Sequence, residues 1–196
     1  MSEARRNGQL TAVRALPSGV IPERWPRQGW SHLRNLSRVS ANVEFEFRLV
    51  GTGWAEGRIA IGDEFASPTA SYLSDALGDL IRAVGALCEG AHEVRASWDE
   101  EPGEYRWIFQ RVGSTVRLRL LGFPHLRGWE VAPDGDGEVL LDAECPVSDL
   151  ASAIASGAQR LLDEVGADAY EEKWVEHPFP ADDLAALEQS LNDTSS

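Results

Sequence analysis

From Asn42 onward the chain carries a clear alternation of apolar and polar positions. Val43, Phe45, Phe47 and Leu49 alternate with Glu44, Glu46 and Arg48. A period of two marks a strand with one buried face. Gly51 and Gly53 predict a turn, and Trp54 to Ile61 predicts the antiparallel return, with Ala55, Gly57, Ile59 and Ile61 on one face. Ser67-Pro68 then offers cap and first-turn chemistry and predicts the start of a helix. Leu73, Leu77, Leu80, Ile81, Val84, Leu87 and Cys88 follow at helical spacing, and Gly90 supplies a stop.

Three more strands are predicted after that helix. Val94, Ala96 and Trp98 alternate with Glu93, Arg95, Ser97 and Asp99; Tyr105, Trp107 and Phe109 alternate with Arg106, Ile108 and Gln110; Val116, Leu118 and Leu120 alternate with Arg117 and Arg119. The Pro102-Gly103 and Gly113-Ser114 turns between them are short, so neighbours run antiparallel. Glu138 to Asp142 predicts a further short strand. Pro146 begins a helix bearing Leu150, Ile154, Leu161 and Val165, with Gly166 as its stop. A segment through Tyr170 and Trp174 ends at His177-Pro178, because the residue before a proline disfavours the helical region, and Asp182 or Asp183 begins a last short helix.

The predicted fold class is α+β. A mostly antiparallel sheet of roughly five to six strands packs its apolar face on two main helices, near 68–89 and 146–165, in the order β-β-α-β-β-β-β-α-α. Residues 1–41 are expected to stand apart from this domain of residues 42–196. They lack sustained periodicity, and Pro17, Pro22 and Pro26 interrupt any long helix, leaving Gln28 to Val39 as one short helical stretch. They read as a basic mobile arm or as the product of a misassigned start.

Charge sharpens that division. The formal net charge is −14. Residues 1–41 hold seven arginines against Glu3 and Glu23, a net +5, whereas residues 42–196 hold eleven basic and thirty acidic groups, a net −19. A field of that sign repels nucleic acid and anionic membrane surfaces and favours basic partners. The expectation is therefore no nucleic-acid partner and no membrane partner. No stretch has the apolar core of a signal peptide or a membrane span, so the location is read as cytoplasmic. Cys88 and Cys145 lie far apart, lack zinc-ligand spacing and are expected to be buried free thiols.

The densest chemical feature is the turn Trp98-Asp99-Glu100-Glu101-Pro102-Gly103-Glu104-Tyr105-Arg106-Trp107. Asp99, Glu100, Glu101 and Glu104 gather four carboxylates there, which suits an arginine-rich partner, a cation, or a solvated turn whose charges discourage sheet-to-sheet pairing. The spacing matches no calcium loop. Asp134-Gly135-Asp136-Gly137 resembles the opening of one but lacks the later ligands, and reads as a flexible turn. Arg95, Arg106, Arg117 and Arg119, interleaved with Glu93 and Glu104, predict ion pairs across the strands. No phosphate-binding glycine loop, nucleophile elbow or metal-protease motif is present, so neither cofactor nor metal is expected.

Ala70-Ser-Tyr-Leu-Ser-Asp-Ala-Leu-Gly-Asp-Leu80 and Trp98-Asp-Glu-Glu-Pro-Gly-Glu-Tyr-Arg-Trp107 together resemble a group of small acidic actinobacterial proteins of unknown function. The resemblance spans residues 42–180, including Trp174 and His177-Pro-Phe-Pro180, and implies no activity. Proteins of that group begin near the first strand, so residues 1–41 depart from the pattern. The favoured functional reading is a non-enzymatic, inhibitor-type or immunity-like protein whose acidic body neutralises a basic protein. The alternative is a small enzyme with a site near Glu171, Glu172, Glu176 and His177. The sequence sets no oligomeric state.

Overall fold

The computed structural model describes residues 42–125 and 131–194. The expectations placed on residues 1–41 lie outside the described residues. The first alternating segment forms β1 (Val43–Leu49), and its return forms β2 (Trp54–Ile61), paired antiparallel from Val43–Ile61 to Leu49–Ala55. Phe45, Phe47, Ala55, Ile59 and Ile61 point into the core, as the period of two requires.

The chain then departs from the expected order. Two short strands, β3 (Glu64–Ala66) and β4 (Thr69–Ser71), both pair with β2, successively filling its edge away from β1. Ser67-Pro68 lies between them rather than at a helix start. The ladder to β2 claims the backbone groups of Thr69–Ser71, and the Pro68 carbonyl accepts from Gly57 N–H. α1 (Ala76–Cys88) begins only after Asp75, whose carbonyl accepts from Asp79 N–H. Leu77, Leu80, Ile81, Val84 and Leu87 form the predicted buried stripe, but Leu73 falls outside the helix and is exposed.

β5 (Glu93–Asp99), β6 (Glu104–Val112), β7 (Thr115–Phe123) and β8 (Glu138–Pro146) form a second antiparallel sheet in sequence order. The described residues thus form two four-stranded sheets rather than one sheet of five or six strands. β3 and β4 take the edge of β2 that a single continuous sheet would have offered to β5. The C-terminal third forms α2 (Val147–Val165), α3 (Ala167–Trp174) and α4 (Ala181–Thr194). Gly166 stops α2 at φ +79°, as expected. No helix of the described residues is long and apolar enough to cross a membrane.

Both sheets and the helices share one core. Its centre is aromatic. Trp98 contacts Phe47 edge-on at 5.4 Å and Trp107 at 4.9 Å, while Phe47 meets Trp174 at 5.9 Å. The Trp98 indole N–H donates to the Ala76 carbonyl at 2.7 Å, which fixes the start of α1 against β5. Gly57 must be glycine for this packing: a Cβ there would lie 2.5 Å from the Trp98 ring. The opposite face of the second sheet carries a smaller apolar cluster of Ile108, Leu121, Phe123 and Ala132.

Candidate functional site

The four carboxylates of the β5–β6 turn do not act as one set. Glu104 turns along its own strand toward Arg106 (3.1 Å) and accepts from Ser97 Oγ at 2.8 Å. Arg106 is buried and also reaches Asp134 (2.8 Å) and the Ala132 carbonyl (2.8 Å), with its guanidinium over the Phe123 ring. Glu100 accepts from Thr69 Oγ1 at 2.5 Å, and both stand beside the Tyr105 hydroxyl. Burial pushes the Tyr105 phenol up, and the Glu100 and Glu138 charges add to the rise. Glu101 is exposed and precedes Pro102 through a cis peptide bond.

Asp99 occupies the centre of this arrangement. Its backbone N–H donates to Ser74 Oγ at 3.0 Å, which ties the turn to the segment before α1. Partial burial raises its carboxyl above the ordinary carboxylate range, and the like charges of Glu104 and Asp79 raise it further. No guanidinium or ammonium of the described residues forms an ion pair with Asp99, Glu100 or Glu101. The region is therefore a field of incompletely neutralised carboxylates at an exposed turn. Among the described residues, no group of His, Cys, Asp and Glu side chains is placed to hold a metal ion.

The arginines of the second sheet form ion pairs, although not only across strands. Arg117 meets Asp142 of β8 with both carboxylate oxygens at 2.6 Å, whereas Arg95 pairs with Glu93 on its own strand at 3.0 Å. Asp134 joins Arg95 and Arg106, so the segment read as a flexible turn is a short helical turn anchored by two guanidinium groups. Burial opposes ionisation of Asp134, but the bonds from Arg106 and Arg95 outweigh it and hold its carboxyl below the usual range. No spacing rule in the sequence connects a loop aspartate to an arginine on another strand. The sequence pattern does not single out Asp79 either, because a helix beginning at Pro68 would put it in mid-helix. With the start at Ala76, Asp79 falls in the first turn.

The residues of the alternative catalytic reading remain on or just beyond α3. Glu171, Glu172 and Glu176 are exposed, and His177 is half-buried. They line none of three clefts described in the protein. The largest of these, about 1180 Å³, lies where α2 and the ends of α1 and α4 approach the β6–β7 turn, with Cys88, Arg111, Ser152 and Arg160 among its lining. Its cations are engaged with backbone. Arg111 donates to the Gly113 and Leu87 carbonyls, and Arg160 donates to the Phe45 carbonyl. Burial raises the Cys88 thiol, which disfavours the nucleophilic thiolate. Cys145 is buried and pushed up to about 12, whereas Cys88 is only half-buried; both are free. Comparison with protein-family models, with curated proteins and with solved structures finds no match to this chain.

Proposed function

We propose that this is a non-enzymatic binding protein that docks a basic protein against the β5–β6 turn. One observation carries the reading: Asp99 is half-buried with no ion-pair partner among the described residues, and its carboxyl is raised by that burial and then by the charges of Glu104 and Asp79, while Glu101 is exposed. A partner that brings guanidinium or ammonium groups relieves this like-charge repulsion. The binding free energy then includes the recovered cost of holding the carboxylates together. The net charge of −19 over residues 42–196 draws such a partner from a distance, within the reach that salt allows.

The test compares two variants with the same change in net charge. Asp99→Asn with Glu101→Gln alters the turn and leaves Glu100 and Glu104 in their hydrogen bonds. Asp63→Asn with Glu64→Gln alters the exposed β2–β3 turn instead, at the opposite end of β2. Binding of an oligo-arginine peptide at low salt is expected to weaken at least about fivefold more for the β5–β6 variant than for the β2–β3 variant, a difference of about 1 kcal/mol. The gap is expected to narrow as salt rises. Equal weakening of the two would reduce the effect to net charge and remove the turn as a site.

A further inference from the structure

The acidic turn borders an exposed apolar surface. Val50, Trp54, Leu73 and Val175 are 43%, 36%, 47% and 52% exposed. They are distant in sequence, yet backbone hydrogen bonds gather their segments at one end of the first sheet. Val50 N–H donates to the Trp54 carbonyl across the β1–β2 turn. Tyr72 N–H, beside Leu73, donates to the Gly53 carbonyl, and Gly53 N–H donates to the Lys173 carbonyl, two residues before Val175. Val175 is the centre of a tight turn with φ 73° and ψ −59°, closed by Glu176 N–H on the Trp174 carbonyl. Scattered apolar residues are ordinary on a protein surface, but several drawn together mark a contact site.

The register places this surface against the carboxylates. Trp54 pairs with Ser71, and Glu56 pairs with Thr69. Trp54 and Thr69 are therefore diagonal neighbours on the outward face, roughly 7–8 Å apart. Thr69 is the residue that bonds Glu100. Leu73 precedes Ser74, whose hydroxyl accepts the Asp99 N–H. On the far side stand exposed Glu171, Glu172 and Glu176. An aromatic and aliphatic centre thus has acidic groups on two sides, the arrangement of a protein interface with a desolvated anchor and a charged rim.

We infer that Trp54 and Leu73, flanked by Val50 and Val175, form the apolar anchor site of the docking surface, and that its occupant is a basic protein segment presenting an apolar side chain among arginines or lysines. The inference rests on the acidic-docking reading for the sign of the partner's charge. Charge complementarity sets the choice of occupant. A second copy of this chain would bring another acidic rim against the first and meet repulsion.

The test uses two synthetic peptides of equal length and charge, one alternating Arg with Leu and the other Arg with Ser. The wild-type protein is expected to bind the Arg-Leu peptide at least about tenfold more tightly, the equivalent of burying one aliphatic side chain. Trp54→Ser with Leu73→Ser is expected to bring that ratio close to one while changing Arg-Ser binding by less than about twofold. Leu73→Ser alone, at a turn where the side chain is about half exposed, is expected to reduce the ratio partially while leaving the fold intact. Asp99→Asn with Glu101→Gln is expected to weaken both peptides alike and preserve the ratio. A wild-type ratio near one, or a ratio that survives loss of Trp54 and Leu73, overturns the anchor. An unchanged affinity for both peptides in the Asp99 and Glu101 variant instead overturns the acidic-docking reading. Sedimentation showing a dimer that Trp54→Ser with Leu73→Ser disperses would assign the surface to a second copy and overturn the proposed occupant.

Discussion

At the scale of single residues, Arg106 and Asp99 show opposite electrostatic situations a few residues apart. Arg106 is buried between Glu104 and Asp134, so Arg106→Met leaves Glu104 without an ion-pair partner and Asp134 with Arg95 alone, and is expected to cost about 3 kcal/mol in chemical denaturation. The Asp134 carboxyl is held below its ordinary value of 3.8. Its share of stability is therefore present at neutral pH and is lost as pH falls through that depressed value. The gap between wild type and Arg106→Met should stay constant down to about pH 4 and close only in stronger acid. Asp99 has the reverse sign, since its folded value is raised above 3.8. Its charge opposes folding at neutral pH, so Asp99→Asn is expected to add about 0.5 kcal/mol at pH 7. That gain should vanish as acid protonates Asp99 in both folded and unfolded chains. The sequence exposed the inward residues Phe45, Phe47, Trp98 and Trp107 through alternation alone. It did not expose the burial of Arg106, because an arginine on an alternating strand looks solvated until a loop folds across it.

At the scale of elements, α1 shows how far a periodic pattern can be trusted. Its apolar stripe is correct from Leu77 to Leu87, and Leu80 is fully buried. Leu80→Ala is expected to cost about 3 kcal/mol through lost transfer energy and a residual cavity. Arg82 looks like an ordinary surface residue in the sequence, but it binds Asp75 and Asp79 at 2.7 Å and Asp183 of α4 at 2.8 Å. Arg82→Ala is therefore expected to cost about 1 kcal/mol, more than a free surface arginine. Equal denaturation midpoints for Arg82→Ala and wild type would show that this clasp contributes nothing. The early start given to the helix has a definite cause. Ser67-Pro68 satisfies the local rules of helix initiation, but β2 offers Thr69–Ser71 a hydrogen-bonded ladder, and tertiary pairing overrides local propensity. Three-residue strands such as β3 and β4 are too short to show any period of their own.

At the scale of the whole molecule, α+β architecture and antiparallel pairing were legible, and the partition into two sheets was not. That partition depends on which strand occupies the second edge of β2, a competition among distant segments that alternation does not encode. The first edge strand, β1, is handled differently. α2 lies close against it, with Gly157 so near that a Cβ would fall 2.7 Å from the Phe45 carbonyl oxygen, and Arg160 donates to that same carbonyl at 2.7 Å. Gly157→Ala is expected to push the helix outward and lower stability by about 2 kcal/mol, measured by thermal melting against Ser156→Ala as a neutral control. An unpaired strand edge is a template on which further chains can grow. Here a glycine and a guanidinium hold the lid on that template. The threshold for fibril formation in concentrated solution should then follow the lifting of one helix rather than unfolding of the whole chain, so that Gly157→Ala seeds thioflavin-positive fibres at temperatures where its core is still intact.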